Sequence, residues 1–234
     1  MNSIDNKRFA VLIAAYNEEE RISDTVIAAA QVPGVVGVLV ANDASQDSTA
    51  EKAMYAGALV ASKKKNSGKG SALELAAATL MKVKPFGVLD GVLLLDADVG
   101  KSAAAASMLL EPLLDDSADM VVGILPAPSG KSNAGRVMSL ARKGIAEFGN
   151  GFKAQAPLSG QRALTLDCLV RVRPFSRSFC MEVDMTIRAL QQGQRVVEIP
   201  VDIEHRATGR NIQSIVYRGM QYNEIHKLLN SYKK

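Results

Sequence analysis

Two carboxylates one residue apart, Asp96 and Asp98, follow the apolar run Gly91-Val92-Leu93-Leu94-Leu95. Both are hard oxygen donors with no soft ligand beside them in sequence, a set that suits Mg²⁺ or Mn²⁺. A divalent cation so placed would hold the diphosphate of a nucleotide. That chemistry requires a position. A short Val/Leu-rich run reads as a buried strand. If Asp96 closes that strand and Asp98 opens the loop, both acids sit at its C-terminal edge, where open α/β sheets bind ligands. A D-x-D pair is short and acidic turns are common, so its meaning depends on what else reaches the same edge.

Other chemistry-bearing clusters follow apolar runs in the same way. Phe9 to Ala15 leads into Tyr16-Asn17-Glu18, and Gly37 to Ala41 ends in Asn42-Asp43-Ala44-Ser45. Tyr16 offers a stacking face; Glu18 and Asp43 offer carboxylates to the donors of a base or ribose. Lys69 stands between Gly68 and Gly70, glycines that let the backbone approach a phosphate closely while the lysine neutralises it. The spacing of a Walker A loop is absent. Further on, Glu182 and Asp184 open a helical pattern, and residues two apart do not share a helix face. One of the two at most therefore faces a reacting centre. After the last apolar run come His205, a metal ligand when neutral, and Arg206 and Arg210, which suit a phosphate clamp. Plainer roles exist for each. Acids such as Glu18 and Glu182 suit a helix start through the helix dipole, Lys69 can be a solvated loop lysine, and a lone histidine can simply be exposed.

The elements that must position these residues alternate. The pattern predicts strands over 9–15, 36–41, 58–61 and 91–95, with helices over 18–31, 46–56 and 71–82 between them. Glu18 to Glu20 would enrich the first helix's opening turn, and Asp43, Ser45 or Asp47 would cap the second helix. Such βαβ alternation implies a mostly parallel sheet with helices on both faces. Beyond Asp98 the pattern predicts a helix over 102–114, a strand over 120–125 and a loop of turn formers over 126–131. It continues with a helix over 134–148, a loop at 157–164 entering a strand, and a helix over 182–191. A strand over 195–203 follows, with Pro200 marking an edge or a strand end. A helix over 211–230 closes the chain.

Composition bounds the rest. The 234 residues suit one sizeable domain, and 47 % apolar residues without tryptophan imply a large aliphatic core. A net charge of +4 fits anionic substrates or a membrane surface. The basic residues are too scattered, and lack the aromatic interleaving, for a nucleic-acid binder. No apolar run approaches the roughly 20 residues that span a bilayer, and the first residues lack a secretory pattern. A cytoplasmic location is the default expectation. Cys168 and Cys180, without metal-ligand spacing, read as core thiols.

The order of these clusters resembles family 2 glycosyltransferases of the GT-A fold, and within them the polyprenyl-phosphate (dolichyl-phosphate mannose synthase-like) branch, over about residues 9–210. Ala14, Tyr16, Asn17 and Glu18 stand where the family has P-x-Y-N-E. Asn42-Asp43-Ala44-Ser45 stands for D-D-x-S, and Asn66 to Gly70 matches N-x-G-K-G. Ser159 and Gly160 match an S/T-G segment at the acceptor side. Glu182 falls at the base position of E-D-x-D-L-x-x-R when the final arginine is aligned on Arg188, which places Met181 at the first acid. The resemblance implies a donor-binding half, 1–98, an acceptor half, 99–210, in one GT-A domain, and a terminal helix, 211–234. It implies a nucleotide-sugar site of Ala14, Tyr16, Glu18, Asp43, Lys69, Asp96 and Ala97. Asp98 and His205 would bind Mg²⁺ or Mn²⁺, and Glu182 would be the base. Arg206, Arg210, Ser159 and Gly160 would face a phosphorylated acceptor, with peripheral membrane contact through the terminal helix if that acceptor is a lipid. Two alternatives stay open: a nucleotidyltransferase, which usually has a Gly-rich loop directly after its first strand, and a catalytically silent nucleotide-sugar-binding or scaffold protein.

Overall fold

The computed structural model describes residues 7–126, 135–176, 180–204 and 212–233, with the side chains of 212–217 outside the description. Its first strand, β1 (Phe9–Ala15), pairs in parallel with both β2 (Val35–Asn42) and β4 (Gly91–Asp96), and β2 pairs in parallel with β3 (Leu59–Ser62). Central strands of a parallel sheet are covered on both faces, so they read as unbroken apolar runs. Alternate residues feed two cores. Val11, Ile13, Leu93 and Leu95 pack against α1 (Ile22–Ala30), a 3-10 helix (Gly100–Ala106) and α4 (Ser107–Leu114). Ala10, Leu12, Val92 and Leu94 pack against α3 (Lys69–Val83), α6 (Leu166–Val172) and α7 (Met181–Gln191). The short α2 (Thr49–Tyr55) joins β2 to β3.

The sheet continues through β6 (Arg162–Thr165), β5 (Met120–Ile124) and β7 (Val196–Pro200), in the order β3-β2-β1-β4-β6-β5-β7. Only β6 runs against its neighbours. Pro200 is the last residue of an edge strand, a place where its missing N–H removes nothing from the ladder. A third apolar cluster joins α5 (Gly135–Phe148), α7 and α8 (Ile212–Ser231). Ile225 and Leu229 of α8 are buried there, and Tyr232 stacks on Phe148 with ring centroids 5.5 Å apart. The described part of the terminal helix therefore packs on the domain. No helix among the described residues is long and apolar enough to cross a membrane.

The elements depart from the expected pattern at several points. Helix α1 begins at Ile22, because Asn17 takes a left-handed conformation (φ 55°) and the Glu18 carbonyl closes a turn onto the N–H groups of Arg21 and Ile22. The acids at 18–20 thus precede the helix, and Asp24 is the acid in its first turn. Helix α2 begins at Thr49, and of its expected caps only Asp47 bonds the Thr49 N–H. The seven-residue α6, capped by the Thr165 side chain at Cys168 N–H, was not expected at all. Its brevity hides any helical period. The 126–131 loop lies mostly outside the described residues.

Candidate active site

The C-terminal ends of β1, β2 and β4 lie side by side, with Ala14 paired to both Ala41 and Asp96. The loops that follow them are laced together. Asn17 N–H donates to Ser45 Oγ (3.0 Å), Gln46 N–H donates to Asn17 Oδ1 (2.9 Å), and Glu18 N–H donates to Thr49 Oγ1 (2.8 Å). This lacing fixes Glu18 and the half-exposed Tyr16 at the sheet edge. Ser45, expected as a helix cap, serves the first loop instead.

Asp43 is buried beneath the glycine-rich loop. Its carboxylate accepts from Ser67 N–H (3.0 Å) and Gly68 N–H (2.7 Å) and pairs with Lys63 (3.2 Å). Gly68 sits at φ 89° and leads directly into α3, a conformation that favours glycine. A Cβ on Gly70 would lie 1.8 Å from the Ser176 carbonyl oxygen, so only glycine lets α3 start this close to the chain that leads to α7. Asp43 therefore shapes the loop that presents Lys69.

Lys69 is the first residue of α3, and its ammonium bridges two elements. Nζ is 2.6 Å from Asp96 Oδ1 at the end of β4 and 2.9 Å from Glu182 Oε1 in the first turn of α7. Burial alone would lower the lysine's pKa; the carboxylates of Asp96 and then Glu182 outweigh it and hold the group above its ordinary range. Asp96 is held a second way. Gln161, fully buried, donates from Nε2 to Asp96 Oδ2 (2.6 Å) and accepts from Asp96 N–H at Oε1 (3.0 Å). Sequence reasoning missed Gln161; the one signal was an amide side chain directly after Ser159-Gly160.

Asp98 lies one loop residue further on. Its carbonyl accepts from Arg21 Nη1 (3.1 Å), and Thr25 Oγ1 donates to the Ala97 carbonyl (2.8 Å). The Asp98 carboxylate itself makes no hydrogen bond or ion pair to the described residues. Asp96 and Glu182 share the one Lys69 ammonium, and Asp98 adds a third carboxylate just past the strand end, an acidic balance among the described residues that favours a cation. Among the described residues no group of three His, Cys, Asp or Glu side chains is placed to hold a metal. A nucleotide-bound Mg²⁺ needs no such cage, since one or two carboxylates plus phosphate oxygens hold it. The donor set therefore fits a divalent ion at Asp98. His205, Arg206 and Arg210 lie outside the described residues.

On α7, helical spacing separates the two acids as expected. Glu182 faces Lys69. Asp184, buried, accepts from Ser176 Oγ (2.9 Å) and Tyr232 Oη (2.6 Å) and pairs with Arg188 (3.1 Å). Burial, and then that bond to Asp184, hold the Tyr232 hydroxyl's pKa above its usual range. Ser159 is buried, and its Oγ has no hydrogen-bond partner among the described residues. Gly160 passes directly over the ion pair. A Cβ there would lie 2.4 Å from Lys69 Nζ and 2.7 Å from Asp96 Oδ1. Gly160→Ala should leave the fold intact, because a lysine tip can move, but it should part Lys69 from Asp96. We expect about a tenfold loss in nucleotide diphosphate affinity, as for one lost charge-assisted contact. Calorimetric titration checks this, and unchanged affinity would show that the pair tolerates the methyl group.

A sequence model of glycosyl transferase family 2 matches residues 10–169. Glycosyltransferase AglJ of Haloferax volcanii is 30 % identical over 222 residues, covering 93 % of this chain and 70 % of that protein. Polyprenol monophosphomannose synthase of Mycolicibacterium smegmatis is 27 % identical over 213 residues, covering 87 % and 80 %. Among solved structures, glucosyl-3-phosphoglycerate synthase from Mycobacterium tuberculosis, in complex with Mn²⁺, UDP and phosphoglyceric acid, superposes with a TM-score of 0.78 at 22 % identity. That match covers 98 % of this chain and 80 % of that one. The structural likeness shows a shared GT-A fold.

Proposed function

Because this chain belongs to glycosyl transferase family 2, and is a glycosyltransferase, we propose that it moves a sugar from a nucleotide diphosphate sugar to a phosphorylated acceptor, with Mg²⁺ or Mn²⁺ at Asp98. The observation that carries this reading is the Lys69 bridge between Asp96 and Glu182, with the Asp98 carboxylate two residues beyond Asp96 engaged by no described residue. It joins the half assigned to donor, 1–98, to the half assigned to acceptor, 99–210. Asp98, with His205 as a further candidate ligand, would hold the metal, which when bound supplies Lewis-acid stabilisation of the leaving diphosphate. Lys69 neutralises phosphate oxygen, Asp96 and Ala97 border the donor sugar and ribose, and Ala14, Tyr16, Glu18 and Asp43 form or support the base and ribose pocket.

In the transfer, the bond from the sugar's anomeric carbon to the diphosphate oxygen breaks, and the electron pair leaves with the nucleoside diphosphate. A new bond forms to an acceptor oxygen. A phosphate acceptor is already ionised near neutral pH and gives up no proton. An alcohol acceptor would pass its proton to the Glu182 carboxylate. The names of two similar proteins, one making polyprenol monophosphomannose and one solved with phosphoglyceric acid, support a phosphorylated acceptor. Ser159, Gly160, Arg206 and Arg210 are assigned to it. A lipid-linked acceptor would be met at the membrane surface, where α8 carries the exposed Met220 and, seven residues on along the same face, the exposed Lys227. The nucleotidyltransferase alternative gives way to the family assignment. A silent binding protein is disfavoured by a site that keeps Lys69, Asp96 and Glu182 together.

Arg206→Ala should raise the acceptor's KM by about tenfold or more, as expected for a lost charge-assisted phosphate contact, and leave the donor's KM unchanged. Initial-rate kinetics against both substrates separates the two, and equal effects on both would remove Arg206 from the acceptor site. The broader reading is tested by a thermal-shift screen of nucleoside diphosphates and their sugars with and without Mn²⁺. A ligand that binds only the native state raises its melting temperature. The reading fails if none does.

A further inference from the structure

Arg162 opens β6 and is the largest fully enclosed side chain among the described residues, 1 % exposed. On the sheet it stands between Leu94 of β4 and Val122 of β5, both apolar. Enclosing a guanidinium is unfavourable unless its donors are satisfied, and among the described residues it has no carboxylate within ion-pair distance. Its donors go to two segments, the Ser159–Gly160 turn and α7. Nε donates to the Ser159 carbonyl (2.9 Å), Nη2 to the Glu182 carbonyl (3.0 Å) and Nη1 to Thr186 Oγ1 (2.9 Å). The Thr186 hydroxyl donates in turn to the same Glu182 carbonyl (2.9 Å). From the other side Glu198 of β7 anchors the chain that leads to Ser159, accepting from the N–H groups of Gln155 and Ala156. Burial lowers the Arg162 pKa to about 10, with Glu182 and Glu198 acting against it, so the group stays a cation near neutrality.

We propose that Arg162 is a positioning residue for the transfer: it fixes the Ser159–Gly160 turn and the first turn of α7 against each other. Both segments border the same ion pair. Gly160 lies over Lys69 and Asp96, and Glu182 closes the bridge. A planar fork with fixed donor directions does what a lysine or an apolar chain cannot. The inference rests on the reading of this site as the place of transfer, yet half of its test does not involve activity.

The experiment compares wild type with Arg162→Met, Arg162→Lys and Thr186→Val by hydrogen exchange, by thermal shift with UDP or GDP plus Mn²⁺, and by transfer to a polyprenyl phosphate in detergent. Arg162→Met fills an apolar stretch of sheet with a chain of similar length, a replacement that buried ionic groups often tolerate. In both Arg162 variants we expect amides at 155–161 and 181–186 to exchange about tenfold faster, with α1 and α3 protected as before. Nucleotide binding should be unchanged, while kcat falls by about 100-fold, the order expected for a misplaced reacting group. Thr186→Val should move the same amides, by less. Should Arg162→Met fail to fold, Arg162→Lys and Thr186→Val decide by the same readings. Unaltered exchange at those amides overturns the proposal. So does altered exchange with wild-type kcat, or a uniform loss of protection together with nucleotide binding. Wild-type protein that transfers no sugar contradicts the function instead, and the exchange pattern still decides whether Arg162 ties the two segments together.

Discussion

Asp98→Ala should fold like the wild type and lose transfer by roughly two to four orders of magnitude, the size of a lost metal Lewis acid worth several kcal/mol. The fold should survive because the loop is held through its backbone. Arg21 bonds the Asp98 carbonyl and Thr25 bonds the Ala97 carbonyl and the Gly100 N–H, all of which alanine at 98 retains. The carboxylate meanwhile holds no other described residue, so its removal leaves no buried group unpaired among the described residues. The melting temperature without ligand should match the wild type, and the added stabilisation by Mn²⁺ with a nucleoside diphosphate should vanish. Chelating the metal from the wild type should reproduce the loss. Unchanged nucleotide affinity and unchanged turnover in the variant would remove Asp98 from the metal site.

Lys69→Ala should weaken nucleoside diphosphate binding by about 10- to 100-fold and leave nucleoside binding unchanged, since a charged contact to phosphate contributes about 1.5–3 kcal/mol. The ammonium bridges Asp96 and Glu182, so its loss also leaves two carboxylates facing the diphosphate with no cation between them. Paired calorimetric titrations with a nucleoside and its diphosphate decide the matter; equal weakening of both would place Lys69 at the base or in loop shape. The wild type should also keep its diphosphate affinity well into the alkaline range. The folded-state pKa of Lys69 is raised. Its contribution is therefore fully present below the unfolded value of about 10.4 and is lost only as pH rises through the folded one. Loss of binding below that point would come from another group.

The elements that carry the site were legible where burial is two-sided. β1, β2 and β4 are unbroken apolar runs because helices cover both faces of the sheet, and each ends in the polar residues that reach the site. The angular separation of Glu182 and Asp184 followed from helical spacing alone. Long-range backbone partners were not legible. Asp43 is engaged by amides 24 and 25 residues away, and Asp96 by Gln161, 65 residues away. No local pattern encodes such distances. The departures from the family's motifs find physical reasons in their surroundings. Asn42 accepts from Ser45 N–H and donates to Ser62 Oγ, and an aspartate could not donate. Met181 is buried in the core between α3 and the sheet, where an acid would be desolvated without a partner. Ala14 keeps an N–H within the ladder between β2 and β4, which proline would lack. The strand at β6 was expected, but its antiparallel direction was not, because four residues cannot reveal a direction.

The most direct test is mass-spectrometric detection of product. The protein is incubated with UDP- and GDP-sugars, Mn²⁺, and either a polyprenyl phosphate or a small phosphorylated acceptor. One sugar should appear on the phosphorylated acceptor for each nucleoside diphosphate released. Both signals should disappear on chelation and in Asp98→Ala. Efficient transfer to an uncharged saccharide instead, with phosphorylated acceptors left unmodified and Asp98→Ala as active as the wild type, would contradict the account.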